Sequence, residues 1–146
     1  MNPAYMVAAV IAAARCPNPQ PQKEVAMQYL CLIYSEESQW PRLPKAEYER
    51  VLGEYLSYSD DVRQSGHLLG GNPLEPTTAA TTVRVRNGKV STTDGPFAET
   101  KEQLGGYYLL EAKDLNEAIQ LASRIPGAKY GCIEVRPVSE IVSCGT

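Results

Sequence analysis

Histidine is nearly absent from this sequence of 146 residues, with His67 the sole example. A zinc site that needs two or more imidazoles, such as HExxH, therefore cannot be assembled within one chain. Cysteine is sparse as well. Cys16, Cys31, Cys132 and Cys144 show no CxxC spacing for zinc or redox chemistry and are too few for a disulfide scaffold. They read as free thiols of a cytoplasmic protein. Neither sign of charge dominates: 14 Lys and Arg against 17 Asp and Glu give a net −3. That balance offers no global attraction for nucleic acid or an anionic membrane. Long hydrophobic runs are missing too, since Met6 to Ala14 spans only nine residues, well short of the roughly 20 a membrane helix needs.

What is present fits one domain. Hydrophobic residues at 43% and charged residues at 21% are ordinary globular values, and the length leaves no room for a second full core. Residues 1–26 stand apart. Their apolar stretch and Ala12-Ala13-Ala14 have the look of a secretory signal, but no positive charge precedes Met6. A flexible or loosely helical extension is expected there, with the folded unit at 27–138 and a tail at 139–146. Residues 1–26 carry two cations, Arg15 and Lys23, and one acid, Glu24, so the remainder holds 12 cations against 16 acids, a net −4.

Gln28 to Tyr34 is a short apolar run rich in strand formers and predicts a mostly buried strand. Pro44 suits a helix start, and Tyr48, Val51, Leu52, Tyr55, Ser59 and Val62 recur at helical spacing until Gly66 supplies the stop. His67 to Gly71 predicts a second strand. Asn87-Gly88, between Thr82–Arg86 and Lys89–Thr92, is a strong signal for a tight hairpin, with Val85 opposite Val90 on one face and Arg84, Arg86 and Lys89 on the other. Asp94 to Gly106 reads as a long polar loop, the kind that usually has a task. A strand follows at Gly106–Glu111. Asp114-Leu115-Asn116-Glu117 is a capping-box variant that opens a second helix, with Leu115, Ala118, Ile119, Ala122 and Ile125 expected on its inner side. Gly131–Val138 is the last strand.

Leaving the hairpin aside, the order is β-α-β-β-α-β, the split βαβ arrangement with two helices on one face of an antiparallel sheet. The fold class is thus α+β. The first strand is apolar at nearly every position, so the sheet face away from the helices needs a cover. A homodimer with its sheets face to face is expected.

The stretch Thr92 to Tyr107, with Asp94-Gly95-Pro96-Phe97-Ala98-Glu99-Thr100-Lys101 at its centre, resembles the YCII-related family in its DGPF branch. Met27–Tyr34, Gly66–Gly71 and Tyr130–Val138 support the resemblance, which covers about residues 27–138 in order. It implies a ferredoxin-like βαββαβ domain with an inserted β-hairpin that dimerises into an α+β barrel. Proteins of the wider superfamily act on lactones and other small molecules, and the DGPF branch often accompanies extracytoplasmic-function sigma factors. Relatives of the shorter YciI type carry a histidine near the start of the first helix, proposed to act with an aspartate. Here that region reads Trp40-Pro41-Arg42-Leu43-Pro44-Lys45, so the dyad does not transfer.

Two functions follow as expectations. One is a small-molecule pocket near the loop, doing acid/base isomerisation or elimination on a small organic acid or lactone. There Asp94 is base or orienter, Lys101 an electrostatic stabiliser, and Glu99 or Glu102 their support. His67 is a further proton-transfer candidate because its ordinary pKa lies near neutrality. Tyr34, Trp40, Tyr55 and Tyr107 each join apolar area to a polar tip and could line a cavity between sheet and loop. Phe97, the single phenylalanine, is expected to anchor the loop in the core or at the dimer seam, or to line the pocket. The other function is a non-catalytic ligand-sensing or interaction module linked to a sigma factor. Asp94-Gly95-Pro96 can also be simple turn chemistry, with the Asp94 oxygen bonding backbone two residues on. Gly70-Gly71 and Gly105-Gly106 make no phosphate loop, so no cofactor is expected. The three hairpin cations are too few for a nucleic-acid surface, and no metal or membrane partner is expected.

Overall fold

A computed structural model describes residues 26–140. The expected N-terminal extension, most of the C-terminal tail, Cys16 and Cys144 lie outside that range. Strand β1 (Met27–Ser35) leads through a 3-10 segment (Glu37–Arg42) to helix α1 (Lys45–Gln64) and strand β2 (Leu68–Pro73). Strands β3 (Thr81–Arg86) and β4 (Lys89–Asp94) follow, then β5 (Gln103–Ala112), helix α2 (Leu115–Ser123) and β6 (Cys132–Pro137). The chain is α+β. β2, β5, β1 and β6 form one four-stranded sheet in that order, with β3 and β4 a separate two-stranded ribbon. All pairings are antiparallel, and the order is compatible with a ferredoxin-like fold.

Strand β1 sorts its side chains by parity, as a pleated strand must. Tyr29, Cys31 and Ile33 are buried and join Tyr58, Val62, Leu110, Ala118, Leu121, Ala122 and Ile125 in the core between sheet and helices. Burial holds the Cys31 thiol up at about 11. Leu30, Leu32 and Tyr34 point to the opposite face. Tyr58 crosses the helix layer, its hydroxyl donating to the Leu121 carbonyl at 2.9 Å and its ring meeting Tyr108 edge-on at 5.2 Å between centroids. The Tyr108 hydroxyl in turn pairs with Ser59 Oγ at 2.9 Å.

Local signals explain the element ends. Pro44 precedes α1, where no intrahelical donor is lost. Gly66 at φ +79° ends it, while Gly66 N–H donates to Arg63 and His67 N–H to Val62 at 2.9 Å. That pattern satisfies the last helical carbonyls as a Schellman motif does. Asp114 caps α2 by accepting from the Glu117 N–H at 2.9 Å, and Glu117 reaches back to accept from the Lys113 N–H at 2.7 Å. Asn87 (φ 52°) and Gly88 (φ 74°) make the tight turn, with Val85 opposite Val90 as the spacing requires.

Three expectations need correction. The loop is shorter than Asp94–Gly106: β4 runs through Asp94 and β5 starts at Gln103, leaving residues 95–102. Gln103 and Leu104 pair with Ser35 and Tyr34 beyond a bulge at Ile33/Tyr34, a strand start disguised by the polar Gln103. The inner face of α2 is centred between Ala118 and Leu121, so Leu115 and Ile119 fall at its margin and stay about half exposed. Likewise α1 buries Val51, Tyr58 and Val62, while Tyr48 and Leu52 look outward.

Candidate functional site

The helix-free sheet face is built from alternate residues of its strands. Leu32 stands between Tyr107 and Glu134, Leu30 between Leu109 and Arg136, and Tyr34 between Leu104 and Cys132. Tyr107 is fixed by the edge strand, because Asn72 Nδ2 donates to its hydroxyl at 3.0 Å. The centre of this face is apolar and half-buried only by its own neighbours, and both helices lie on the other side. Its margin carries Glu111, Glu134 and Arg136. The Cys132 thiol approaches Glu102 Oε2 at 3.9 Å, which brings the end of the 95–102 loop to this face. Desolvation, then the Glu102 carboxylate, push that thiol's pKa up, so it is a poor nucleophile.

The loop is fastened at both ends. Gly95 adopts φ +105°, which only glycine tolerates readily. Its N–H donates to the Ala80 carbonyl at 2.7 Å and its carbonyl accepts from Thr82 Oγ1 at 2.8 Å. The turn is therefore made by Gly95 backbone, and the expected bond from the Asp94 side chain is not among those of the described residues. Asp94 ends the ribbon opposite Thr81 and leaves its carboxylate exposed. At the far end Gln103 Nε2 donates to the Thr100 carbonyl at 2.6 Å, and Gln103 Oε1 accepts from the Glu37 N–H at 3.0 Å. The Glu37 carboxylate accepts from the Thr77 N–H at 3.1 Å and from Thr77 Oγ1. Gln103 and Glu37 thus hold the loop, the 3-10 segment and the 77–79 turn together. Neither stands out in the sequence, because their partners lie 66 and 40 residues away.

The candidate residues fall into separate groups. Asp94, Glu99, Lys101 and Glu102 are exposed on the ribbon end and loop, and no ion pair joins them among the described residues. Phe97 is 80% exposed, so it does not anchor the loop in the core of its own chain, which is filled from β1, β5 and the helices. Nor do the four aromatic residues share one cavity. Tyr34 and Tyr107 stand on the helix-free face, whereas Tyr55 packs against the core on the helix side, where burial raises its pKa to about 12. Trp40 closes the sheet end, donating from Nε1 to the buried Ser35 Oγ at 3.1 Å and tilting against Tyr130 at 5.6 Å. The space beside Trp40 is about 20 Å³, one water's worth. A larger hollow of about 380 Å³, lined by Met27, Gln28, Pro137, Val138, Ser139 and Glu140, lies at the sheet's other end, away from the loop.

His67 sits apart from the loop. Its Nε2 meets Glu117 Oε1 at 3.2 Å, and its Nδ1 meets Ser65 Oγ at 2.7 Å. A carboxylate can only accept, so Nε2 donates to Glu117, while Ser65 Oγ, which also lies 3.3 Å from the Val62 carbonyl, donates its single proton either there or to Nδ1. This Ser–His–Glu chain could polarise a hydroxyl. Yet the neighbouring N–H groups of Gly66 and His67 are spent on the helix end, leaving no oxyanion donors there. Its evident effect is to tie the end of α1 to the start of α2. Together with the Lys113 N–H, His67 holds the Glu117 carboxyl below its ordinary pKa.

Among the described residues no cluster of three His, Cys, Asp or Glu side chains is close enough to hold a metal ion. No helix among them is long and apolar enough to cross a membrane. The YCII-related domain matches residues 27–142. An uncharacterized protein of Rhizobium meliloti (strain 1021) is 40% identical over 115 residues, covering 77% of this chain and 93% of the relative. The domain match spans the sheet, the ribbon and the loop described above, and the chain belongs to the YCII-related family.

Proposed function

We propose that the chain works as a homodimer, an α+β barrel in which the helix-free sheet faces meet and a small-molecule site forms at the rim of the seam. The observation that carries this reading is the uncovered apolar strip of Leu30, Leu32, Tyr34, Tyr107 and Leu109, framed by charged residues. Such a strip is costly to leave in water and typical of an interface core. Tyr34 and Tyr107 end at this rim, and Glu102 reaches it through its contact with Cys132. Asp94, Glu99 and Lys101 are carried on the ribbon end and loop that lead there. Neither the hollow of about 380 Å³ nor the small space beside Trp40 is lined by these residues, so the partner would supply the missing wall. Phe97, exposed in the single chain, is suited to the seam.

In the catalytic form of this reading, Asp94 takes or orients a proton, Lys101 steadies an oxyanion, and Glu99 and Glu102 set the field around them. The substrate class is a small organic acid or lactone and the reaction an isomerisation or elimination. Titration calorimetry with short hydroxy acids and five-membered lactones tests it. Asp94→Asn and Lys101→Ala should keep the wild-type sedimentation and unfolding midpoint, yet weaken binding at least about tenfold, the loss of one charged contact. Binding equal to wild type in both variants, or none by wild type, would remove the site from the loop. Binding without turnover would leave a ligand-sensing module.

A further inference from the structure

Among the described residues the β3–β4 ribbon has no home in its own chain. Its strands pair with each other and form no part of the four-stranded sheet, and no other element packs extensively on them. An isolated two-stranded hairpin is marginal in water unless its apolar face is covered. Here Val83, Val85 and Val90 share one face and are 59%, 55% and 69% exposed. Phe97, three residues beyond the ribbon, is exposed as well.

The charges are equally unmatched. Arg84, Arg86 and Lys89 have no acidic partner among the described residues, as is true also of Arg42, Lys101 and Lys113, whereas Lys45, Arg50, Arg63, Arg124, Lys129 and Arg136 are paired; the ribbon alone gathers three unpaired cations on one face. Against Asp94 they leave the ribbon at +2, while the rest of the chain after residue 26 holds nine cations against fifteen acids, a net −6. At the rim of the helix-free face, Glu102 and Glu111 have no cation of their own among the described residues. A surface that is apolar at its centre and acidic at its margin is the complement of a ribbon with a valine face and a basic face.

We infer that the ribbon is an arm that wedges into the edge of the seam with a second copy of this chain, its basic face lying along the acidic rim of the partner's helix-free sheet face and its opposite, valine face turned to the apolar margin of its own sheet. The inference rests on the homodimer reading and adds a second contact continuous with the seam. Six-residue strands give the arm a reach of about 20 Å, enough to cross from one protomer onto the next. Val85 and Val90 supply burial, and Arg84, Arg86 and Lys89 supply register and a salt-sensitive association rate.

Sedimentation of the full chain and two variants tests this. Val85→Thr with Val90→Thr keeps strand-forming residues, and Arg84→Glu with Arg86→Glu reverses charge without touching the valines. Each should weaken the dimer at least tenfold, and the charge-reversed protein should lose the wild-type weakening by added salt. Ser91, on the basic face opposite Arg84, should photocross-link to the other protomer when replaced by benzoylphenylalanine. Unchanged dimer affinity and salt dependence in both variants, with cross-links only within one chain, would overturn the arm. DNA binding lost on charge reversal with the dimer intact would assign the ribbon to nucleic acid instead and also overturn it. The seam is separable from the arm: if Leu32→Asp dissociates the protein while both ribbon variants stay dimeric, only the arm falls, whereas a monomeric wild type removes both.

Discussion

Single residues show how the core constrains chemistry here. Cys31 and Tyr55 are held by burial at about 11 and about 12, above their ordinary 9.0 and 10.0. A neutral acid with a raised folded pKa costs nothing below its unfolded value and loses stability as pH climbs from that value to the folded one. Stability should therefore be flat up to about pH 8 and fall between about pH 9 and 12. Urea midpoints by circular dichroism at about pH 8 and about pH 10.5 check this, with Cys31→Ala showing the shallower decline; equal midpoints for wild type would contradict it. At this scale the sequence is a partial guide. The placing of Cys31 beside Val135 and not Cys132 follows from antiparallel register alone, and the structure agrees. The outward turn of Cys132 is a matter of parity that an all-apolar first strand conceals, since Tyr29 to Tyr34 gives no period of two to read. Tyr58 is missed for a related reason: Tyr55 and Ser59 flank it, and only the docked sheet decides which tyrosine goes inside.

Elements were legible where their causes are local. The Asn87-Gly88 ribbon, the Gly66 helix stop and the Asp114 cap each depend on a few adjacent residues, and each forms as its residues dictate. The cap also has a measurable share. Asp114→Ala should cost about 1 kcal/mol, the usual loss for an N-cap carboxylate, seen as a lower urea midpoint with unchanged m-value. No change would mean that the Glu117 bond to Lys113 alone holds the helix start. Because Glu117 is held below its ordinary pKa, its support exists above the unfolded value near 4.5 and is lost as pH falls through the lowered one. The fastening of the 95–102 loop was not legible, because Gln103, Glu37 and Thr77 are distant in sequence and each is an ordinary polar residue. For the same reason the candidate site was legible as a set of residue types and not as a place: Tyr55 belongs with the loop by chemistry but lies across the sheet from Tyr34 and Tyr107.

The molecule as a whole is a three-sided problem with one side solved among the described residues. Helices α1 and α2 close one face of the sheet, the ribbon stands off it, and the opposite face keeps a band of Leu30, Leu32, Tyr34, Tyr107 and Leu109. A second copy is the simplest cover, because a two-fold interface needs only that one patch suit itself, and a stable one buries about 1,200–2,000 Å². Leu32→Asp places an unpaired charge at the centre of the band and should weaken the dimer by about 3 kcal/mol or more, at least a hundredfold, while leaving the helix-side core intact. The most direct measurement is equilibrium sedimentation of the wild-type chain at micromolar concentration. A mass of twice the 16.0 kDa chain is expected, and a mass of one chain would contradict the proposed seam, the rim site and the ribbon arm together.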